Sequence, residues 1–340
     1  MRIWAIVVAS HLLAVGQVAA AAPWKGADAS IRVTVLDDAL APVTNATVVG
    51  HFASPYGKDY MGDRFDLRTD ASGQCRVVGR GFTFISGRVS ASNHYPTHYR
   101  IALGDRQAAI ESGLWKEVSE TLILKRIKNP VPMYVSRLSL APAIANPGVT
   151  ASYDFATGAW LPPHGDGQHA DVEIVYEKRI LRSTTVVQRA RPDDVRKQTD
   201  RDVEQPLEWD ESWRIEFHNR GDGLVRAKQK LRSELRSDYH APVEGYESSI
   251  RLFANRRQER LGWPGKLETN MDEDALYYIR IRAEVDEHGT VKSAWYGKIC
   301  GEMNREPSCY VNPDGTRNVE FAPEMNLLDG PSSHKEIHEP

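Results

Sequence analysis

VTVLDDALAPVTNATVVG, residues 33–50, is the stretch that decides the fold. Together with the preceding Ile31, its residues Val33 and Val35 alternate with Arg32 and Thr34, giving a segment with one apolar face and one wet face, the signature of a half-buried strand. The segment from Asp37 to Pro42 has turn composition, and Ala46 and Val48 resume the alternation on the way back. The next punctuation is RTDASGQCRV (68–77), where Asp70, Ser72 and Gly73 supply turn chemistry and Cys75 and Val77 return to the apolar face. Further runs follow at FISGRVSASN (84–93), YPTHYRIAL (95–103) and VSETLILKRI (118–127). Roughly six or seven strands in about 95 residues is the arithmetic of a β-sandwich.

Particular residues within these runs carry a resemblance. Pro42, Val43, Ala46 and Val48 open a strand, Thr69, Asp70 and Gly73 form a turn, and Tyr95 and Pro96 precede a final strand. In that order they resemble the carboxypeptidase regulatory-like domain, a transthyretin-like β-sandwich. The segment from Asp59 to Phe65 departs from the pattern, and HYP (94–96) lacks the family's usual glycine. The resemblance implies a fold and no catalytic residues, so function is expected from the rest of the chain.

The first 22 residues hold one basic residue, Arg2, then an apolar stretch from Ile3 to Val15 broken by Ser10 and His11, then small residues. This is the layout of a secretory signal peptide, with cleavage after Ala20 or Ala22. Its apolar core is shorter than the roughly 20 residues a spanning helix needs, so export to the periplasm or the extracellular medium is expected, with no membrane span. A formal net charge of -3 gives little attraction to polyphosphate and argues against nucleic acid as a partner.

Asn129-Pro130 and Pro132 break the strand pattern. The expected division is therefore a signal peptide at 1–22, a regulatory-like sandwich at 28–126, a linker at 127–134, a second β-rich domain at 135–330 and a flexible tail at 331–340. β-Branched and aromatic residues dominate the later runs, among them ADVEIVYEKRI (170–180), SWRIEFHN (212–219) and ALYYIRIRAEV (275–285). The expected fold class is mainly β, the N-terminal sandwich being followed by a larger antiparallel sandwich or jelly roll. One segment disagrees: Leu224, Leu231 and Leu235 stand near helical spacing in residues 223–239, which fits a short amphipathic helix. The stretches 277–302 and 310–321 also resemble uncharacterised exported proteins that join such a sandwich to a larger β domain, a likeness that brings no activity with it.

Several constellations bear on chemistry. In LPPHGDGQHADVE (161–173), His164, Asp166, His169 and Asp171 are donor types that suit a divalent ion, although Pro-Pro and two glycines equally suit an ordinary loop, and no standard zinc or calcium signature is matched. Trp160, Trp209 and Trp213 could offer sugar rings a stacking platform, or serve as core. Cys300 and Cys309 could close a disulfide in an oxidising compartment, or remain free thiols on neighbouring strands, while Cys75 reads as a buried apolar residue. Asp272, Glu273 and Asp274 read as an exposed acidic loop, and Arg220-Gly221-Asp222 as a turn. No Gly-x-Ser-x-Gly occurs, and no glycine cluster follows a strand as a phosphate cradle would. Two readings stay open: a non-catalytic exported protein that binds a glycan, a cell-envelope component or a protein partner without a cofactor, and a metal-dependent hydrolase with its site in the second domain.

Overall fold

The computed structural model describes residues 26–53, 61–188, 201–227, 233–272, 274–302 and 306–328. The expected signal peptide and C-terminal tail lie outside these residues. The described residues are mainly β and form two pairs of packed sheets.

The first pair uses β1 (Ala27–Asp37), β2 (Thr47–Ala53), β3 (Met61–Arg68), β4 (Gln74–Gly81), β5 (Phe84–Ser90), β6 (His94–Tyr95), β7 (Thr97–Ala102) and β8 (Val118–Arg126), with a short α1 (Arg106–Ser112) before β8. One sheet has the order β4-β1-β8-β6 and the other β3-β2-β5-β7. Strict alternation in β1 sends Ile31, Val33 and Val35 into the space between the sheets, where Val48, Phe52, Val77, Ile85 and Leu124 meet them.

The residues behind the family resemblance have local physical roles. Buried Asp37 accepts the N–H groups of Ala39 and Ala41 and so shapes the first turn. Burial would raise its pKa, but those N–H groups and Arg126 hold it below the ordinary carboxylate value. Thr69 ties two strands together: its hydroxyl donates to the Val43 carbonyl at 2.7 Å and accepts the Ala46 N–H at 2.8 Å. Asp70 accepts from Ser72 and Gln74, and Gly73 turns at φ 73°, where a side chain would strike the Val35 carbonyl.

The second pair uses β9 (Val131–Arg137), β10 (Thr150–Asp154), β11 (Ala159–Trp160), β12 (Val172–Gln188), β13 (Arg201–Glu216), β14 (Gly223–Ala227), β15 (Ser249–Arg257), β16 (Lys266–Thr269), β17 (Leu276–Val285), β18 (Val291–Cys300), β19 (Ser308–Asn312) and β20 (Phe321–Asn326), with α2 (Ala141–Ala145) after β9. The sheet orders are β11-β10-β12-β13-β15-β16 and β14-β17-β18-β19-β9-β20. Ile174, Tyr176, Trp213, Ile215 and Leu252 from the first face Tyr277, Ile279, Ile299 and Val311 from the second. The other face of the second sheet is buried too, through Tyr278, Tyr296, Tyr310 and Phe321 beneath Ala241 and Tyr246. Burial on both faces explains why Leu276–Ile279 of β17 and Ala294–Tyr296 of β18 read as continuous apolar runs instead of alternating ones.

The helix expected over residues 223–239 is not found in its described parts. Gly223–Ala227 is strand β14, paired with β17; Ser233 forms a bridge with Thr97, and Leu235 is fully buried. The open edge of β17 offers Val225 and its neighbours a ladder of hydrogen bonds, which outweighs a helical spacing of leucines. Of the two readings of Cys300 and Cys309, the disulfide is corrected, since no disulfide joins them. Cys300 lies opposite Ser308 and Cys309 opposite Ile299, a one-residue offset that puts the sulfurs on opposite faces of the sheet and in different cores.

Polar contacts, some of them buried, join the two sandwiches. Glu320 accepts the Tyr95 hydroxyl at 2.9 Å and the N–H groups of Lys128 and Asn129. Lys125 donates to the Ser237 carbonyl at 2.6 Å, and the Tyr239 hydroxyl donates to the Arg126 carbonyl at 2.7 Å.

Replacing Thr69 with Val should cost about 1–3 kcal/mol, because the Ala46 N–H and the Val43 carbonyl would be left buried and unpaired. Thr69→Ser should retain most of the stability. Urea unfolding of both variants beside wild type measures the difference.

Candidate binding site

The most concentrated set of charges in the second sandwich centres on Arg282. Its guanidinium donates from Nε to Asp171 Oδ1 at 2.8 Å, and from one terminal nitrogen to Asp154 Oδ1 at 2.8 Å and Asp171 Oδ2 at 3.0 Å. A third carboxylate, Asp222, accepts the backbone N–H groups of Arg282 and Ala283. Arg282 has φ 52° at a break in the pairing of β17 with β18, between Ile281 and Glu284, and its guanidinium lies 4.3 Å from the Trp295 ring centroid. A left-handed conformation in a non-glycine residue is costly, and the bonds from Asp222 to two successive amides hold it in place.

The environments of these carboxylates differ. Burial pushes the Asp171 carboxyl up despite its bonds to Arg282, and burial pushes Asp222 up as well. For Asp154 burial acts in the same direction, but the N–H groups of Gln168, His169 and Ala156, with the Arg282 charge, bring it below its ordinary value. Asp171 and Asp154 are internally bonded, and only a quarter of the Arg282 side chain reaches solvent. The cluster fastens the 155–171 loop and β10 to β17.

This accounts for part of the 161–173 motif. Asp171 is buried and committed to Arg282 and to the Phe155 N–H. His169 is exposed, with Nε2 3.7 Å from Asp171 Oδ1; Asp166 is exposed and His164 half-buried. The donor atoms of these four residues do not gather within 4.8 Å of one another. The three tryptophans do not share a surface either. Trp213 is buried against Tyr176, Trp160 is buried with its indole N–H donating to the Ser139 carbonyl, and Trp209 is half-buried with Lys178 5.0 Å from its ring centroid. Of the acidic loop, Asp272 and Asp274 face Arg226 and Arg236, and Glu273 lies outside the described residues.

A groove does form on the outer face of the β11-β10-β12-β13-β15-β16 sheet. Because Ile174, Tyr176, Trp213, Ile215 and Leu252 point inward, the residues between them must point out. Register then arranges them in rows: Glu177, Ser212 and Phe253 in one, and Arg179, Asp210, Asn255 and Glu268 in the next. They line a groove of about 730 Å³ whose walls carry four basic and four acidic residues, a balance that leaves no strong net field. Arg257 is bonded to Asp210 at 2.6 Å and Lys178 lies 3.4 Å from Glu211, whereas Glu177, Arg179, Arg251 and Glu268 make no side-chain hydrogen bond or ion pair among the described residues. Phe253 is half-buried in the floor. Sequence reading missed this face because charges alternating with apolar residues look like any solvated strand; the shared register of three strands is what assembles them.

No family model matches the chain, and no curated protein does. Among solved structures it is similar to 3-chlorocatechol 1,2-dioxygenase from Rhodococcus opacus, at 12% identity over 30% of this chain and 60% of that one, with a TM-score of 0.24. The catechol 1,2-dioxygenase of an Acinetobacter species gives 18% identity, 32% and 55% coverage and a TM-score of 0.24. A proposed carbohydrate-binding protein from Bacteroides uniformis gives 11% identity, 87% and 95% coverage and a TM-score of 0.20. The alignments span less than two thirds of the two dioxygenases, and likenesses at these scores carry no functional information for this chain.

Arg282→Met should destabilise the protein by roughly 3–5 kcal/mol, since it leaves buried carboxylates without their cation. The loss should be smaller at pH 5 than at pH 8. Asp171, already raised in the folded state, favours folding more as pH falls, and removing Arg282 takes away one of the groups that hold Asp154 low, which weakens its contribution at higher pH. Denaturant melts of wild type and variant at the two pH values give the sign.

Proposed function

We propose that this is an exported, non-catalytic binding protein that takes a neutral glycan segment, such as one from a cell-envelope polymer, in the outer groove of the second sandwich. The observation that carries the reading is the groove's composition: rows of Arg, Asp, Asn and Glu around a half-buried Phe253, with several of the charged groups uncommitted within the chain. Planar polar side chains suit the vicinal hydroxyls of a sugar, and an aromatic face suits its C–H face. Balanced charge favours a neutral polyhydroxylated ligand over a polyanion. On this reading the tryptophans named from the sequence act as core and support, and the site moves to the neighbouring strands.

The N-terminal sandwich is proposed to be of the carboxypeptidase regulatory-like kind. The turn roles of Thr69, Asp70 and Gly73 support this, and Tyr95 adds a function of its own, since its hydroxyl binds Glu320 of the second sandwich. That sandwich would then serve as a rigid mount for the binding domain. Export is inferred from the layout of residues 1–22. The hydrolase alternative has less support, because Asp171 of its proposed site is bound to Arg282 and the other three donors do not all lie within 4.8 Å of one another.

An array of neutral and acidic oligosaccharides four to six units long, probed with the purified full chain, tests the proposal. Binding to at least one neutral member is expected, with Phe253→Ala weakening it about tenfold, the scale of a lost aromatic stack of roughly 1.5 kcal/mol. Absence of binding to every neutral member at millimolar concentration, or equal binding by the variant, would sink the glycan reading.

A further inference from the structure

We infer that Glu173, Glu216 and His218 form a binding site for a divalent transition-metal ion, with Zn²⁺ the best-suited. The inference is independent of the glycan reading, and it places the metal elsewhere than the 161–171 loop that the sequence suggested.

The geometry follows from the pleat. Glu173 of β12 stands directly opposite Glu216 of β13, and His218 lies two residues further along the same extended chain. Ile215 and Phe217 are buried, so Glu216 and His218 share the outer face. The imidazole Nε2 is 2.8 Å from Glu173 Oε2, and one donor atom from each of the three residues lies within 4.8 Å of the others. Among the described residues this is the one set of three or more His, Cys, Asp or Glu side chains that meets that limit. Ligands on a tetrahedral zinc at about 2.0–2.1 Å stand roughly 3.4 Å apart, so small rotations of these partly exposed side chains would close the set.

The electrostatics of the row point the same way. Two carboxylates placed face to face across an antiparallel pair repel each other. Their cross-strand neighbours, Ser152 beside Glu173 and Ser249 beside Glu216, carry no charge. The Arg214 guanidinium lies 3.5 Å from Glu216 Oε1 and makes no ion pair with Glu173 among the described residues. A dication would answer both carboxylates at once. One imidazole nitrogen with two carboxylate oxygens is a borderline donor set, suited to Zn²⁺ over the soft ions that thiolates select, and three protein ligands leave a position for water. All three side chains are at least partly solvent-accessible, so an ion can enter.

Isothermal titration of chelator-treated full-length protein with Zn²⁺ tests the site. One ion per chain is expected, with His218→Ala and Glu173→Gln each weakening binding at least tenfold, and the double variant His164→Ala/His169→Ala binding as wild type does. The substituted groups are surface side chains, and far-ultraviolet circular dichroism checks that each variant is folded. No saturable binding by wild type, undiminished binding by His218→Ala, or loss of binding in the double variant would each overturn the assignment. No sugar enters the titration, so its outcome is separate from that of the glycan array.

Discussion

The second sandwich depends on how one guanidinium settles a concentration of buried negative charge. Asp154, Asp171 and Asp222 come from three separate stretches of chain, and each reaches Arg282 through its side chain or its backbone amide. Burying a carboxylate without a partner is prohibitively costly, so the loop before β12, the end of β10, the turn before β14 and the bulge in β17 have to be correct together. The strained backbone at Arg282 is the geometric cost of aiming its side chain at two carboxylates while its amide meets the third. Fixing that corner also fixes where β12 begins, and with it the register that builds the outer groove.

A second polar constraint joins the two bodies. Lys125 and Lys298 are both buried and both donate to Ser237, one to its carbonyl and the other to its hydroxyl at 3.1 Å. Glu320 gathers the Tyr95 hydroxyl and the first amides of the connecting segment. The stretch that looks like a free linker by its prolines is thereby held by hydrogen bonds at its start, and hinge motion there would leave buried ionic groups unsatisfied. Coupling of this kind suits a protein whose first sandwich has a mounting role.

Much of the fold was legible in the sequence, because period-2 alternation in β1, β4 and β7 directly reports one wet and one dry face. The turn at Asp70 to Gly73 was equally legible, since its residue types have a single structural use. The sites were not. Trp160 and Trp213 are indistinguishable by type from a stacking platform, and only the three-dimensional core shows that they fill it. Arg282 sits in RIRAEV at a position where alternation predicts an ordinary solvated residue, and nothing local signals its left-handed backbone. His218 and Glu173 are 45 residues apart. Their meeting depends on a strand register that residue spacing does not encode. The cysteines teach the same lesson in reverse: nine positions apart looks close, yet parity across the β18–β19 pair separates the sulfurs.

The length of β12 and β13 has one more consequence. Their pairing continues from Ser183 opposite Pro206 to Gln188 opposite Arg201, while β10 and β15 stop short of this part, so both outer edges of the ribbon lack a described third strand. Such a two-stranded projection is a standing invitation to intermolecular strand addition. Within that ribbon Pro206 has no N–H to offer, and Asp202 and Glu204 place exposed charges along it. A proline and charges are the features that blunt an unpaired strand edge, so the ribbon's own composition opposes strand addition there.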